Sequence, residues 1–350
     1  AYASGGSSGG TGVAIAANFG AVGIGTDTGG SVRAPASINN LAGIRPTVGL
    51  VSRTGMAPLD SQRDTPGPMG RTVEDVARLL DVLAGVDPAD PRTAAAAGEI
   101  PPSYAAFLDR DGLQGGRIGV FQQTLTSPAG ADPRVLDLFR RATADLRAAG
   151  AEIVEDFTVP GFEQFPIPPQ TVARSKADWE AFFAYEGQTF PVKTVAELRD
   201  APGGTRVHPL HQPRVAEIAA VTLPPEEDPQ TVQGRKDEQM YREAFGAAMD
   251  AAGVDALVFP VWTYPPALNG DRGQTPRGPL TNIGSATQWP VVVVPMGFVG
   301  EELPIGMQIF GRPWSEGRLI SFAYAYEQRT HHRRPPRSAP PLTGALSAAE

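Results

Sequence analysis

The chain has 350 residues, a formal net charge of −8, 40 glycines, 35 prolines and no cysteine. That length suits one large α/β domain or two ordinary ones, and the Gly and Pro content fits a loop-rich globular chain. The acidic balance argues against nucleic acid or an anionic membrane as partner, and the absence of cysteine excludes disulfides, thiol nucleophiles and zinc–thiolate sites. No apolar run has the length of a membrane span.

Residues 5–33 read GGSSGGTGVAIAANFGAVGIGTDTGGSVR. GGSSGG at 5–10 and TGGS at 28–31 bracket a small, apolar run. Glycine clusters let the backbone approach a ligand, and their successive N–H groups form anion-binding concavities. The serines add hydroxyls that can act as nucleophile or proton carrier. Ser7 and Ser31, each beside free backbone donors, have the layout of an acyl-transfer site. GGSSGG alone also reads as a flexible linker. The packed small-residue run behind it, and Asp27 and Arg33 around the second cluster, argue against that.

In chain order, 12–19 predicts a small-residue helix and 22–25 a short buried strand that delivers TDTGGS to a sheet edge, where open α/β sheets place ligands. Residues 34–63 predict short strands and ordered loops. The segment GPMGRTVEDVARLLDVLAG predicts a helix capped by Thr72, with Asp75 as capping-box partner and Gly85 as its stop. Residues 86–113 read as a surface excursion. A strand at 117–121, a helix at about 132–149 and a strand in AEIVEDFTVP predict a parallel pair. Residues 160–229 break the rhythm, with a helix at 172–185 followed by a Pro/Gly-rich stretch. They are the expected substrate-covering insertion. A long helix at about 228–252 precedes three buried strands, DALVFP, WPVVVVPMGF and IGMQIFG. A helix at 315–330 closes the chain, and the tail 336–350 is expected to be loosely ordered.

The runs GGSSGG, GTDTGGSVRAPAS, GIRPTVGLVSRTG, DTPGPMGRTVEDVARLLDVLAG and WPVVVVPMGF…LPIGMQIFGRPWSEGRLISFAYAYEQ closely resemble the amidase signature family of serine hydrolases. The resemblance covers about 5–328 and thins between 160 and 250. It implies a single amidase-signature domain over 1–350: an α/β fold with a twisted, mixed, largely parallel central sheet covered by helices on both faces. It also implies hydrolysis of a C–N amide-type bond through an acyl-enzyme, with a Ser–cis-Ser–Lys triad and no cofactor. Residue by residue, the nucleophile falls on Ser31 and the bridging cis-serine on Ser7.

The chemistry of the residues agrees with that assignment. Backbone N–H groups of Thr28, Gly29, Gly30 and Ser31 facing one point would form an oxyanion hole, worth about 3–4 kcal/mol per key donor. A turn serine at Ser31 and a hydrogen-bonded loop serine at Ser7 are the plainer alternatives. Ser8, Thr26, Asp27 and Arg33 are expected to support the site, Asp27 and Arg33 as a pair that holds the TGGS loop. Trp262, Tyr264 and Trp289 are candidates for the substrate pocket. The family's lysine lies well upstream of GGSSGG, whereas the lysines here are Lys176, Lys193 and Lys236. The expectation is that the base lies on a segment upstream of residue 1 and that the chain alone is nearly inactive. His208 and His211 read as surface histidines and not as metal ligands.

Three rival readings remain. Gly5-Gly6-Ser7-Ser8-Gly9 satisfies the nucleophile-elbow pattern, but Ala1-Tyr2-Ala3 is too short to show the strand that motif needs before it, and no histidine sits in a suitable triad loop, so this rival fails on context. The A component of an amidotransferase uses the same core to release ammonia for a partner complex. A non-catalytic protein could retain the fold. The partner expected otherwise is a small amide-type substrate, with a cytoplasmic location, no nucleic acid or membrane, and a homodimer left open.

Overall fold

The computed structural model describes residues 2–126, 130–185, 189–202, 207–270 and 282–339. Its strands are β1 (Val22–Asp27), β2 (Ala42–Arg45), β3 (Thr65–Gly70) and β4 (Arg117–Phe121), then β5 (Glu152–Phe157), β6 (Ala256–Pro260), β7 (Val291–Val299) and β8 (Leu303–Gly311). They form one eight-stranded mixed sheet in the order β1-β3-β2-β7-β8-β6-β4-β5. The helices are α1 (Gly9–Ala16), α2 (Arg33–Ile38), α3 (Val73–Leu83), α4 (Pro133–Ala148) and α5 (Val172–Phe183). They continue with α6 (Val195–Asp200), α7 (Gln212–Ala219), α8 (Pro229–Ala252), α9 (Asn282–Thr287) and α10 (Glu316–Thr330).

The largely parallel sheet expected above is not what forms. Every pairing from β1 through β3, β2, β7 and β8 to β6 is antiparallel, and only β6 with β4 and β4 with β5 run parallel. An apolar run such as VVVV reports burial on both faces of a sheet, and that burial does not depend on strand direction. In β7, Val292 and Val294 join a core under α3, α4 and α10, while Val291 joins the opposite core under α8. In β6, Val258 faces the first core and Leu257 and Phe259 the second. The second core is aromatic: Phe245 of α8 meets Phe121 edge-on at 5.4 Å and Phe310 at 5.7 Å between ring centroids. Alternation along each strand therefore places helices on both faces, as expected.

Local signals are obeyed closely. The Thr72 side chain accepts from Asp75 N–H at 3.1 Å and the Asp75 carboxylate accepts from Thr72 N–H at 3.0 Å, a complete capping box. That helix stops at Leu83, just short of Gly85. Asp132 caps α4, and the unit β4–α4–β5 brings its two strands together in parallel.

Four readings change. The strand ending in TDTGGS is longer than expected and lies at the sheet edge, with Val22 37% and Ile24 48% exposed. Within 34–63 a helix, α2, starts at Arg33. Pro35 sits in its first turn, where a missing N–H leaves no bond unmade. TPGPMG forms β3, a strand that the sequence reading did not assign. Pro66 and Pro68 stand opposite Thr26 and Ile24 of β1 and lie beyond Met69 and Gly70, the residues by which β3 pairs β2, so no donor is lost from the β2 ladder. The stretch after α5 contains two short helices, α6 and α7, around a small apolar cluster of Phe183, Val195, Val215 and Ile218. Part of its Gly-rich segment, 203–206, lies outside the described residues.

In the tail, Ala339 N–H donates to the Pro336 carbonyl at 2.9 Å, and 340–350 lies outside the described residues. Among the described residues no helix is long and apolar enough to cross a membrane.

Candidate active site

The two Ser/Gly clusters are stitched together by Ser8. Its N–H donates to the Ser31 carbonyl at 3.3 Å, and its Oγ accepts from Thr26 N–H at 3.1 Å while donating to the Thr26 carbonyl at 3.3 Å. Only glycine fits at position 25, since a Cβ there would stand 2.8 Å from Ser8 Oγ and 2.9 Å from Met69 Cε. The start of α1 is thereby fastened to β1, with Ser7 just before the helix and Ser31 just past the strand. The Gly6–Ser7 peptide bond is cis.

The loop after β1 is built around Asp27, which is fully buried. Its carboxylate accepts from Gly30 N–H at 2.9 Å, Val32 N–H at 3.2 Å and Arg33 N–H at 3.4 Å. It also accepts from Arg33 Nε and Nη2, both at 3.0 Å, and from Arg45 Nη1 at 2.8 Å. Burial alone would raise this carboxyl, but the Arg33 and Arg45 charges and the hydrogen bonds outweigh it and hold Asp27 well below the usual carboxylate range. Burial in turn lowers the Arg45 guanidinium to about 10, against the favourable field of Asp27. The remaining donors are used: Arg33 bonds Gln308 Oε1 and Ser285 Oγ at 3.1 Å each, and Arg45 bonds the carbonyls of Gly284 at 3.1 Å and Arg63 at 2.8 Å. A buried charge set of this kind persists only when every member is paired.

That wrapping decides which N–H groups of the loop stay free. Gly30, at φ +119°, turns its N–H into Asp27, so it is not available to a ligand. The N–H groups of Thr28, Gly29 and Ser31 have no acceptor among the described residues. The Thr28 hydroxyl donates to Asp64 Oδ1, and Asp64 Oδ2 accepts from Leu59 N–H at 2.8 Å and Asp60 N–H at 2.9 Å. Burial pushes the Asp64 carboxyl up, with the Thr28 and backbone hydrogen bonds opposing it.

Ser7, Thr28, Gly29 and Ser31 open onto one cavity of about 640 Å³, which Arg63, Ile167 and Trp262 also line. No hydrogen bond joins the Ser7 and Ser31 hydroxyls, so the direct contact expected of a proton relay is not made. Of the expected pocket aromatics, Trp262 lines the cavity. Tyr264 holds its hydroxyl beside Gly130, and Trp289 is 8% exposed and stacked on Phe310 in the α8 core at 5.6 Å. Sequence reading missed Arg45, Asp64, Ser285 and Gln308. A signal existed for Gln308, the one polar side chain in the apolar run IGMQIFG, and for Arg45 in GIRP.

The three lysines lie elsewhere. Lys176 Nζ donates to the Val221 carbonyl at 2.8 Å, Lys193 Nζ to the Phe183 carbonyl at 3.3 Å, and Lys236 is exposed on α8. His208 and His211 are exposed, and among the described residues no three His, Asp or Glu side chains cluster to hold a metal ion.

Comparison with known proteins decides the family, because the Amidase profile matches residues 1–320. The chain belongs to the amidase family. It is 34% identical over 356 residues to the A component of the glutamyl-tRNA(Gln) amidotransferase of Synechococcus sp. strain JA-3-3Ab, covering 99% of this chain and 68% of that one. It is 34% identical over 357 residues to a putative amidase of Arthroderma benhamiae, covering 94% of this chain and 57% of that one. Among solved structures, the peptide amidase from Stenotrophomonas maltophilia superposes with a TM-score of 0.81 at 35% identity, covering 96% of this chain and 67% of that one. The amidase-family fold and its mixed sheet are thus shared with a solved amidase.

Proposed function

We propose that this amidase-family chain carries the acylation centre of an enzyme that hydrolyses a linear amide-type C–N bond, with Ser31 as nucleophile. The observation that carries the reading is the loop Asp27–Arg33. A fully buried ion network pins it, yet leaves the N–H groups of Thr28, Gly29 and Ser31 unbonded beside the Ser31 hydroxyl, on a cavity shared with Ser7. Ser31 Oγ attacks the substrate carbonyl, and its proton passes to Ser7 and on to the base of the family triad. The three free N–H groups receive the oxyanion, a preorganised arrangement that costs no rearrangement during reaction. Collapse expels the amine with a returned proton, and water then cleaves the acyl-enzyme through the same groups. Lys176, Lys193 and Lys236 lie away from the cavity, so none of them is that base. Residues 160–229 cover the substrate, a reading supported by Ile167, Pro168 and Gln170 on the cavity wall.

The test uses the protein expressed with its whole reading frame. Ser31→Ala should abolish both hydrolysis of an amide, anilide and carbamate panel and covalent labelling by a fluorophosphonate. Turnover or labelling that survives the substitution places the nucleophile elsewhere, with Ser7 the next candidate. A second reading, release of ammonia for a partner complex, is favoured by the identity to the A components of amidotransferases. It predicts glutamine as the amide consumed and a rate that depends on added partner proteins.

A further inference from the structure

Residues 58–64 form a loop held from two sides. On one side, Asp64 accepts the Thr28 hydroxyl and the Arg63 carbonyl accepts from Arg45 Nη2 at 2.8 Å, so the loop is bonded to the corner that carries Ser31. On the other side, a seam of hydrogen bonds reaches residues 168–179. Gln170 Nε2 donates to the Leu59 carbonyl at 2.6 Å, and Trp179 Nε1 to the Pro58 carbonyl at 3.2 Å. Ser61 donates its N–H and its Oγ to Asp178 at 2.8 and 2.6 Å. At the centre lies Arg63: Nη1 donates to the Pro168 carbonyl at 2.9 Å and Nη2 to the Pro169 carbonyl at 3.1 Å. Nε and Nη2 both meet Asp60 Oδ2, at 3.0 and 2.5 Å.

We propose that Arg63 is a specificity-determining positioning residue: its guanidinium spans the cavity wall between the 58–64 loop and the Pro168–Pro169 segment and sets how large an acyl group fits beside Ser31. The inference rests on Ser31 being the amidase nucleophile. Leu59 and Arg63 line the cavity from one segment, and Ile167, Pro168 and Gln170 from the other, so the bridge joins two pieces of the same wall. Pro168 and Pro169 have no N–H of their own, and consecutive prolines are stiff. Their carbonyls still need donors, and two neighbouring carbonyls are matched by the planar fork of an arginine better than by the single ammonium of a lysine. Every guanidinium nitrogen is engaged and Asp60 and Glu238 supply counter-charge, the latter at 3.7 Å. Arg63 therefore acts through the position of Ile167–Gln170 and not by binding a substrate carboxylate.

The experiment measures kcat and KM of the whole-reading-frame enzyme and its Arg63→Met and Arg63→Lys variants on acyl p-nitroanilides from acetyl to octanoyl, with a succinyl anilide added. In Arg63→Met, KM for the acetyl anilide should rise about 10-fold, the loss of one charge-assisted hydrogen bond's worth of fixed geometry, while kcat changes far less. The penalty should shrink as the acyl chain lengthens, succinyl should behave like butyryl, and Arg63→Lys should fall between. A fall in kcat that is uniform across the series, or an effect on the succinyl anilide alone, overturns the proposal. Trp179→Phe, which removes one bond of the same seam from outside the cavity, should shift the size dependence in the same direction by less. It serves if Arg63→Met does not fold, and no shift there also overturns the proposal. A wild type that neither turns over nor labels with fluorophosphonate sinks the amidase reading, whereas an active wild type with a size-independent response sinks only the role of Arg63.

Discussion

Two regions meet at the 58–64 loop and are built differently. The corner formed by β1, the Asp27–Arg33 loop and α2 is held by buried charge: Asp27, Arg33 and Arg45 are all at 0% exposure, and their hydrogen bonds reach Gln308 and Ser285 far along the chain. Among the described residues, the region from α5 to α7 has no fully buried set of charges; its largely buried pair, Arg174 with Asp178 at 3.9 Å, lies at the margin that faces the loop. Its apolar residues form a small cluster of their own around Phe183, Val195, Val215 and Ile218, and hydrogen bonds at its margin attach it to the loop. Charge buried with all partners present makes a site that is rigid and fails as a unit, whereas a small satellite core opens locally at low cost. The first suits a fixed set of free backbone N–H groups, the second a wall that can shift to fit what it covers.

Substitutions that act on one region and not the other sharpen this contrast. After Ser31→Ala, the largest effect is expected from Ser7→Ala, which should slow turnover by about 10²–10⁴-fold, the usual worth of a positioned proton carrier. Fluorophosphonate labelling of Ser31 should persist in part. Pairing it with Ser31→Ala should add little to the loss from Ser31→Ala alone, since groups that act as a unit are non-additive. Losses that multiply in the double variant would mean the two serines work separately.

Next comes Asp27→Asn, which leaves two buried guanidiniums without their shared counter-charge. Urea unfolding at neutral pH should show a loss of about 3–5 kcal/mol. The difference should also depend on pH. Burial raises the native Asp27 carboxyl, but Arg33 and Arg45 depress it below its unfolded value, so the native state stays ionised where the unfolded state binds a proton. That contribution is complete above about pH 4 and is lost as pH falls from there through the depressed native value, so wild type and variant should converge in acid. Equal destabilisation from pH 3 to pH 7 would contradict the ion network as its source.

The smallest effect belongs to the other region. Val195→Ala, at a fully buried position of the satellite cluster, should cost about 1 kcal/mol or somewhat more. Hydrogen exchange should quicken in α6 and α7 while protection in β6, β7 and β8 stays unchanged. Loss of protection throughout the central sheet would show that the two regions unfold together, and the contrast drawn above would not hold.

What was legible in the sequence is what short-range chemistry decides. The capping box of Thr72 and Asp75, the helix that begins near Asp132, and the parallel pairing of β4 with β5 each depend on residues close in the chain. So does the meeting of GGSSGG with TGGS, joined through Ser8, Thr26 and Ser31. Burial of β6, β7 and β8 was legible too, because an apolar run states its need for cover on both faces. Strand direction was not, since the same valines satisfy either ladder and β7 pairs β8 through a short hairpin while β2 reaches β7 from far along the chain, Gly43 opposite Val293. Nor did Trp289 reveal that it stacks on Phe310, or the Gly30 N–H that Asp27 would claim it. By itself the sequence determined which groups are present, where helices begin, and which runs must leave water. Only the tertiary structure decided which charges neutralise one another and which N–H groups remain free. Those outcomes depend on partners such as Arg33 and Gln308, which no local pattern connects and which burial away from water makes obligatory once the chain has brought them together.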